Sequence, residues 1–337
     1  ALADGSLDIV AIGRGLLADP ELPNKIEQHR TAEIRPCISC NEGCIAQVCI
    51  GKSVECAINP NTGHEGVNDL VPAASPKKIL VVGAGPGGCA AALTAKRSGH
   101  QVELWEKQSF LGGKALAASG PVFKQDMKKL LDYYQNELTR LGVPVRFCME
   151  ATMENVDAFQ PDAIIWAAGA DAICPASIPG IKGSNVVKAI DVLTNTEKVG
   201  ENVAVIGGGL VGCELAADLA IKGRTVSIIE MGDRLIPAAV FMQNAMMLRG
   251  LINHPNIVQM PKTKLVSIQP DHVVVSTEEG EKTVFCDTVV LSMGFRPDNT
   301  LADTLAEKYP LTKVGDSITA GMIYNAVHTA YDAVRNL

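Results

Sequence analysis

The sequence predicts an α/β chain built around two parallel-sheet units, and three observations predict it. From Lys78 onward, short apolar runs alternate with helical stretches. A glycine-rich turn follows an apolar run twice. Lys78–Val82 leads into Gly83-Ala-Gly85-Pro-Gly-Gly88, and Asn202–Ile206 leads into Gly207-Gly-Gly209-Leu-Val-Gly212. The offset of 124 residues between the copies also carries Gly99 onto Gly223, Val102 onto Val226 and Glu106 onto Glu230. Each copy therefore reads as strand, glycine turn, alanine-rich helix, glycine stop, second strand and terminal acid. A length of 337 residues agrees with roughly two domains.

The remaining elements follow along the chain. Residues 8–12 (DIVAI) read as a short apolar strand, Gly13-Arg14-Gly15 as a turn, and residues 16–28 as a helix broken around Pro20 to Pro23. Residues 31–66 hold five cysteines, few apolar runs and many turn residues. Such a segment cannot bury much and needs a staple. Residues 67–77, with two prolines and small side chains, read as a linker. Residues 162–169 and 287–294 read as buried strands ending in small residues, and residues 272–286 as a hairpin. Residues 322–337 have helix periodicity, with Ile323, Ala326, Val327, Ala330, Ala333 and Val334 on one side.

Composition excludes some functions. With 30 Lys and Arg against 37 Asp and Glu, the net charge is −7, and a nucleic-acid or anionic-membrane binder needs a basic face. No apolar run reaches the roughly 18 residues of a membrane span. Residues 1–9 hold Asp4 and Asp8 without a basic cluster, so no secretion signal is read there. In a chain of this kind, clustered cysteines point to metal or redox chemistry and to a cytoplasmic setting. The expected partner is a small-molecule substrate; the oligomeric state is not readable from the sequence.

The paired glycine motifs carry the strongest chemistry. Each follows an apolar strand, opens a helix and has an acid 23 positions after its first glycine. The first glycine permits the tight turn, the second lets backbone approach a pyrophosphate, and the third lets helix and strand pack closely. The helix start offers free N–H groups, and the acid accepts hydrogen bonds from a ribose diol. Tight βα turns alone could ask for one such motif, but two in register point to two dinucleotide sites. Glu230 favours NADH over NADPH, because a 2′-phosphate would meet a carboxylate; Arg234 nearby softens that preference.

Cys37, Cys40, Cys44 and Cys56 place four thiols within twenty residues. Thiolates are soft ligands, so the group reads as an iron–sulfur or zinc site. One CxxC, a nearby third cysteine and a distant fourth suit a [4Fe–4S] cluster better than a zinc ribbon with two knuckles. Cys49 reads as packing. Cys89, Cys148, Cys174, Cys213 and Cys286 form neither CxxC nor CxxxxC, which argues against a disulfide-reductase mechanism.

These motifs carry a family resemblance. GAGPGG resembles the FAD fingerprint, and GGGLVG the NAD(P) fingerprint, of the pyridine-nucleotide flavoprotein superfamily. Leu111-Gly112-Gly113 resembles the stretch that wraps the FAD pyrophosphate, Ala167-Ala168-Gly169 the strand end leaving the FAD domain, and Gly315-Asp316 the pair that holds the ribityl chain. Glu214 matches a glutamate near the nicotinamide, read as lying in the first turn of its helix. Residues 8–14 followed by GLLADPELPNKI resemble the last unit of the old yellow enzyme barrel, in which Gly13 and Arg14 would hold the FMN phosphate. The order of these pieces resembles the C-terminal part of a 2,4-dienoyl-CoA reductase/trimethylamine dehydrogenase-type NADH:flavin oxidoreductase.

The resemblance implies a TIM-barrel remnant (1–30) and an Fe–S segment with linker (31–72). These would precede two Rossmann-like, glutathione-reductase-type domains, for FAD (73–170 and 289–337) and NAD(P) (171–288). With most of a barrel missing from the sequence, residues 1–66 are expected to be poorly ordered or rearranged. In the implied reaction NADH reduces FAD, electrons cross the [4Fe–4S] cluster to FMN, and FMN reduces an activated C=C bond of an enoate or dienoyl-CoA-like substrate. The residues that would donate protons to the substrate are not in this sequence. Two alternatives stand beside this: an amine dehydrogenase with ADP in place of FAD, and an electron-transfer subunit resembling the small subunit of glutamate synthase.

Overall fold

Ahead of the first sheet, the computed structural model, which describes residues 4–238 and 240–337, has three short helices. They are Arg14–Ala18 (α1), Leu22–Glu27 (α2) and Ile45–Cys49 (α3). Pro23 sits in the first turn of α2, where its missing N–H costs nothing, so the helix expected over 16–28 breaks at 19–21 as anticipated. Residues 8–12 do not form the expected strand. Among the described residues they pair with no other strand, and Ile9 is 83% exposed; an apolar pattern makes a strand only where a neighbour completes the ladder. Nor is the rest of the amino-terminal stretch loose: Ala18, Ile38 and Ile58 join the core of the first unit.

The first unit runs β1 (Lys78–Val82), α4 (Pro86–Arg97), β2 (Gln101–Trp105), α5 (Lys114–Ala118), α6 (Asp126–Arg140), β3 (Val145–Arg146), α7 (Met153–Phe159) and β4 (Ala163–Trp166). The chain leaves through β5 (Asp171–Ala172) into a second unit. That unit comprises β6 (Val186–Lys188), α8 (Ala189–Leu193), β7 (Asn202–Ile206), α9 (Leu210–Ile221), β8 (Thr225–Ile229), α10 (Met242–Ile252) and β9 (Ile257–Met260). An antiparallel meander follows: β10 (Lys264–Ile268), β11 (His272–Thr277) and β12 (Gly280–Phe285). Then β13 (Thr288–Leu291) returns to the second sheet, and β14 (Phe295–Arg296) pairs with β5. The chain ends in the first unit with α11 (Thr300–Ala306), β15 (Leu311–Lys313) and α12 (Ile323–Arg335).

Both main sheets are five-stranded and parallel, ordered β15-β4-β1-β2-β3 and β6-β13-β7-β8-β9. Their central strands are buried on both faces, which is why they read as continuous apolar runs rather than alternating ones. The boundary expected at 288/289 falls inside β13, which pairs wholly with strands of the second sheet; the chain crosses at the β5–β14 ribbon instead. The expected hairpin forms as β11–β12, and β10 adds a strand that its short mixed pattern hid. Helix α12 buries Val327, Ala330, Ala333 and Val334 against the first unit, the side its periodicity marked.

Candidate functional site: two glycine cradles and a cysteine cage

The two glycine turns have the same geometry. Gly83 and Gly207 take φ of +99° and +112°, a region other residues rarely enter. A Cβ added at Gly88 would stand 1.7 Å from Gly83 O, and one at Gly212 would stand 2.0 Å from Gly207 O, so helix and strand touch there through bare backbone. At Gly85 and Gly209 an added Cβ would meet nothing within 4 Å. The middle glycine of each motif therefore faces open space at a helix start, the position a pyrophosphate would take. That vacancy, flanked by two glycines packed tight, fits a dinucleotide in each copy.

The terminal acids are also equivalent. Glu106 accepts from Ala84 N (2.8 Å) and Gln108 N (2.8 Å); Glu230 accepts from Gly208 N (2.7 Å) and Gly232 N (2.6 Å). Each carboxylate braces its own glycine turn and stands at the strand end where a ribose would lie. The repeat reaches further than the sequence reading took it. Cys89 and Cys213 occupy the same register and are fully buried, and their thiols donate to Ala84 O (3.4 Å) and Gly208 O (3.3 Å). Burial pushes the Cys213 thiol up to about 12 and Cys89 further, so both stay neutral. The 124-residue offset contained this signal.

Around the first cradle, Gly113 comes close to Gly85, with 3.2 Å between an added Cβ and Gly85 Cα. Gly169 donates to Ser317 Oγ (2.9 Å), and Gly315 donates to Thr329 Oγ1 (2.9 Å). Asp316 accepts from Gly321 N and pairs with Lys114 (2.5 Å), whose ammonium also lies over the Phe295 ring. Gly113, Gly169, Gly315 and Asp316 are thus gathered beside one glycine turn. Sequence reasoning missed Lys114, Ser317 and Asn299. Asn299 donates to Ser317 O, while its own carbonyl oxygen is buried with no partner among the described residues. An orphaned acceptor beside the ribityl-type pair fits a bound flavin better than a bare structural turn.

Glu214 lies in the second turn of α9, not the first, because that helix starts at Leu210. Both its oxygens accept from Lys124 Nζ at 2.9 Å, linking the second unit to the first. Asp218 adds a bond from Val122 N (3.0 Å) across the same junction.

Cys37, Cys40, Cys44 and Cys56 line one cavity with Leu17, Ile38, Ala57 and Ile58, and Arg14 and Asn41 also border it. Gly43 closes it: an added Cβ there would be 3.0 Å from Cys56 Cα, and Gly43 O accepts from Glu55 N. Burial pushes the Cys40 thiol up to about 12 and raises Cys56 as well. Among the described residues no three His, Cys, Asp or Glu side chains converge closely enough to hold a single metal ion. A cubane cluster places one thiolate on each iron, so its ligands stand around a volume rather than at a point; four thiols around one apolar cavity fit that demand. Cys49 is exposed on α3 and does not pack, contrary to expectation. Gly13 and Arg14 are exposed, and Arg14 turns to Asn41 Oδ1 (2.7 Å).

The cage is bonded on three sides. Ser39 Oγ donates to Asp126 Oδ2 of α6 (2.9 Å), Asn244 Nδ2 of α10 donates to Cys40 O (2.8 Å), and His328 Nε2 of α12 bonds Cys56 O (2.9 Å). It therefore sits where both nucleotide-type units and the last helix meet.

Comparison with known proteins agrees with this geometry. Residues 77–315 match the family model described as pyridine nucleotide-disulphide oxidoreductase. The chain is 34% identical to a cinnamate reductase of Clostridium sporogenes, over all of this chain and 51% of that protein. It is 40% identical to an NADH oxidase of Thermoanaerobacter brockii, over 98% of this chain and 52% of the relative. The solved 2-naphthoyl-CoA reductase superposes with a TM-score of 0.94 at 31% identity, over 100% of this chain and 51% of that one. The chain spans about half the length of the curated relatives it matches. It belongs to the pyridine nucleotide-disulphide oxidoreductase family, whose members use FAD and NAD(P)H, and it is a flavoprotein oxidoreductase chain.

Proposed function

We propose that this chain is the NADH-oxidising, electron-delivering half of an enoate-reductase-type enzyme. In this reading the cradle of Gly83, Gly85, Gly88 and Glu106, with Gly113, Gly169, Gly315 and Asp316, holds FAD. The cradle of Gly207, Gly209, Gly212 and Glu230 receives NADH, and Glu214 stands near its nicotinamide. Cys37, Cys40, Cys44 and Cys56 hold a [4Fe–4S] cluster. When bound, FAD supplies a two-electron hydride acceptor and the cluster a one-electron carrier. The residues here bind, orient and exclude water: Glu230 selects against a 2′-phosphate, and Leu17, Ile38, Ala57 and Ile58 keep the cage dry.

The single observation that carries the reading is the cage itself, four cysteines around one cavity bonded to helices of both units. The family's nucleotide chemistry accounts for the cradles but not for four half-buried thiols around one cavity. The relatives' names support a reductase acting on an activated C=C bond. In this reading FMN would be held by Gly13, Arg14 and residues outside this chain. The substrate of such an enzyme is a small molecule. Ten unpaired cysteines suit a reducing, cytoplasmic setting.

Purified anaerobically, the protein is expected to show flavin absorption bands over a broad iron–sulfur shoulder, release FAD on denaturation, and bleach with NADH. Release of ADP instead of FAD would establish the amine-dehydrogenase alternative. Absence of iron from anaerobic protein that contains flavin would remove the cage from the reading.

A further inference from the structure

The cysteine cage is fastened most heavily to one helix. Glu55, next to Cys56, accepts from the Tyr324 hydroxyl and from His64 Nε2 (2.9 Å). Tyr324 stacks on His328, one turn further along α12, with ring centroids 3.9 Å apart and planes 19° apart. Because a carbonyl can only accept, His328 must carry its proton on Nε2, which donates to Cys56 O. Two turns of α12 thus hold the side chain before the fourth cysteine and the backbone of that cysteine itself.

The other end of the same link lies at the flavin-type cradle. A Cβ at Gly87 would stand 3.2 Å from Ala326 O, and one at Gly315 would stand 3.1 Å from Ala326 Cα. Thr329, between His328 and the buried face of α12, accepts from Gly315 N. One rigid helix therefore contacts the glycine turn, the Gly315-Asp316 pair and the limb carrying Cys56. Such a constellation is more than a fold requires, since a buried aromatic pair packs as well without directional bonds.

We propose that Tyr324 and His328 are positioning residues that clamp the Glu55–Cys56 limb to α12, holding Cys56 in place against Cys37, Cys40 and Cys44 and at a fixed spacing from the flavin cradle. This rests on the cluster reading above. The three nearer cysteines are confined to eight residues by their own short loop, whereas Cys56 returns from a detour of eleven residues that include the exposed Lys52. Loop closure over such a detour leaves the fourth ligand the most mobile unless something external holds it.

The test uses the intact protein, prepared anaerobically, with Tyr324→Phe, His328→Phe and His328→Gln. The phenylalanine at 324 keeps the ring stack and loses the bond to Glu55. The one at 328 keeps the stack and loses the bond to Cys56 O, and the glutamine restores a donor there. Two readouts are taken: tryptic cleavage at Lys52, with Lys282 in the distant β12 as internal control, and the paramagnetic signature and iron content of the bound cluster. His328→Phe is expected to speed cleavage at Lys52 at least fivefold with Lys282 unchanged. It should also convert part of the cluster to a three-iron form, the mark of a lost corner ligand. His328→Gln should restore both, and Tyr324→Phe should fall between. If wild-type protein holds iron while His328→Phe keeps the wild-type signature and cleavage pattern, the clamp is overturned and the cluster reading stands. If the wild type binds flavin but no iron, the cluster reading fails, and the clamp with it.

Discussion

Over the first glycine cradle lies a helix. Gly87 is buried under α12, Gly113 closes on Gly85 from the side, and the loop after β2 wraps across. At the second cradle the register of Gly87 is taken by Val211, and the loop after β8 lays Leu235 against Gly208 and bonds Ile236 N to Gly208 O. The two turns are otherwise the same in φ, in the clash at the third glycine, in the vacancy at the second, and in the braced acid. An enclosed cradle suits a ligand that stays; an open one suits a ligand that enters, reacts and leaves. One backbone recipe has thus been set into two contexts, and under the proposed function that context would separate a resident cofactor from an exchanging one.

The sharpest way to break the comparison is to fill the third glycine in each copy. Gly88→Ala must push its methyl against Gly83 O, and Gly212→Ala against Gly207 O. Both are expected to cost about 3 kcal/mol, the upper end for overpacking, with Gly88→Ala the worse because its clash is closer. Both tryptophans lie in the first sheet, Trp105 on β2 and Trp166 on β4. Their fluorescence should therefore report early unfolding for Gly88→Ala and lag behind circular dichroism for Gly212→Ala.

Filling the second glycine should separate binding from folding. Gly85→Ala and Gly209→Ala place a methyl in open space, so melting of the cofactor-free protein should move by less than about 0.5 kcal/mol. Gly209→Ala is expected to weaken NADH roughly tenfold or more while FAD remains bound. Gly85→Ala should yield protein that purifies without flavin. Equal loss of FAD in both variants, read from the absorption of purified protein, would erase the distinction between resident and exchanging sites.

The repeat was legible because it is local chemistry. Gly83, Gly85, Gly88 and Glu106 occupy a turn whose demands are met by neighbours in sequence, and the second copy doubled the signal. The cysteine spacing was legible for the same reason. What stayed hidden depends on partners distant in sequence. The pair Lys124–Glu214 joins residues 90 apart, and His328 reaches Cys56 over 272. Ser317 belongs to no motif, and its part emerges only when Gly169 N is placed beside its hydroxyl. Residues 8–12 failed in the opposite way: their apolar pattern was right for a strand, and no neighbouring strand is there to pair with it.

The first unit also carries a charge network at a register that is apolar in the second. Arg97, near the end of α4, pairs with Glu137 of α6, which Arg140 also holds; the same register in α9 is Ile221, 48% exposed. Burial works to raise the Glu137 carboxyl, but the Arg140 hydrogen bond and the Arg97 charge outweigh it and lower it from 4.5. A lowered folded pKa contributes stability that is present above about 4.5 and is lost as pH falls through the folded value. Glu137→Gln should therefore cost about 2 kcal/mol near pH 7 and progressively less as the pH falls through the folded value, read by urea unfolding on tryptophan fluorescence. NADH affinity at the second cradle should not change, and a loss there would mean that the two units share the network.

The mildest expected effect concerns which nucleotide the open cradle admits. Glu230 accepts from Gly208 N and Gly232 N with one oxygen each, so its carboxylate is fixed where a ribose 2′ substituent would arrive. A 2′-phosphate there would face a like charge held in place by two backbone donors. Glu230→Gln keeps an acceptor toward Gly208 and removes the charge, so the fold should survive. Preference for NADH over NADPH, measured as the ratio of kcat/KM for flavin bleaching, is expected to fall about tenfold, or about 1.4 kcal/mol. Part of that change should appear as a gain for NADPH, whose phosphate no longer meets a like charge, and part as a loss for NADH, whose ribose diol loses a carboxylate acceptor. The matching change at the closed cradle, Glu106→Gln, should leave the ratio untouched and act on FAD retention alone. A shift in nucleotide preference from Glu106→Gln would show that the two cradles had been assigned to the wrong ligands.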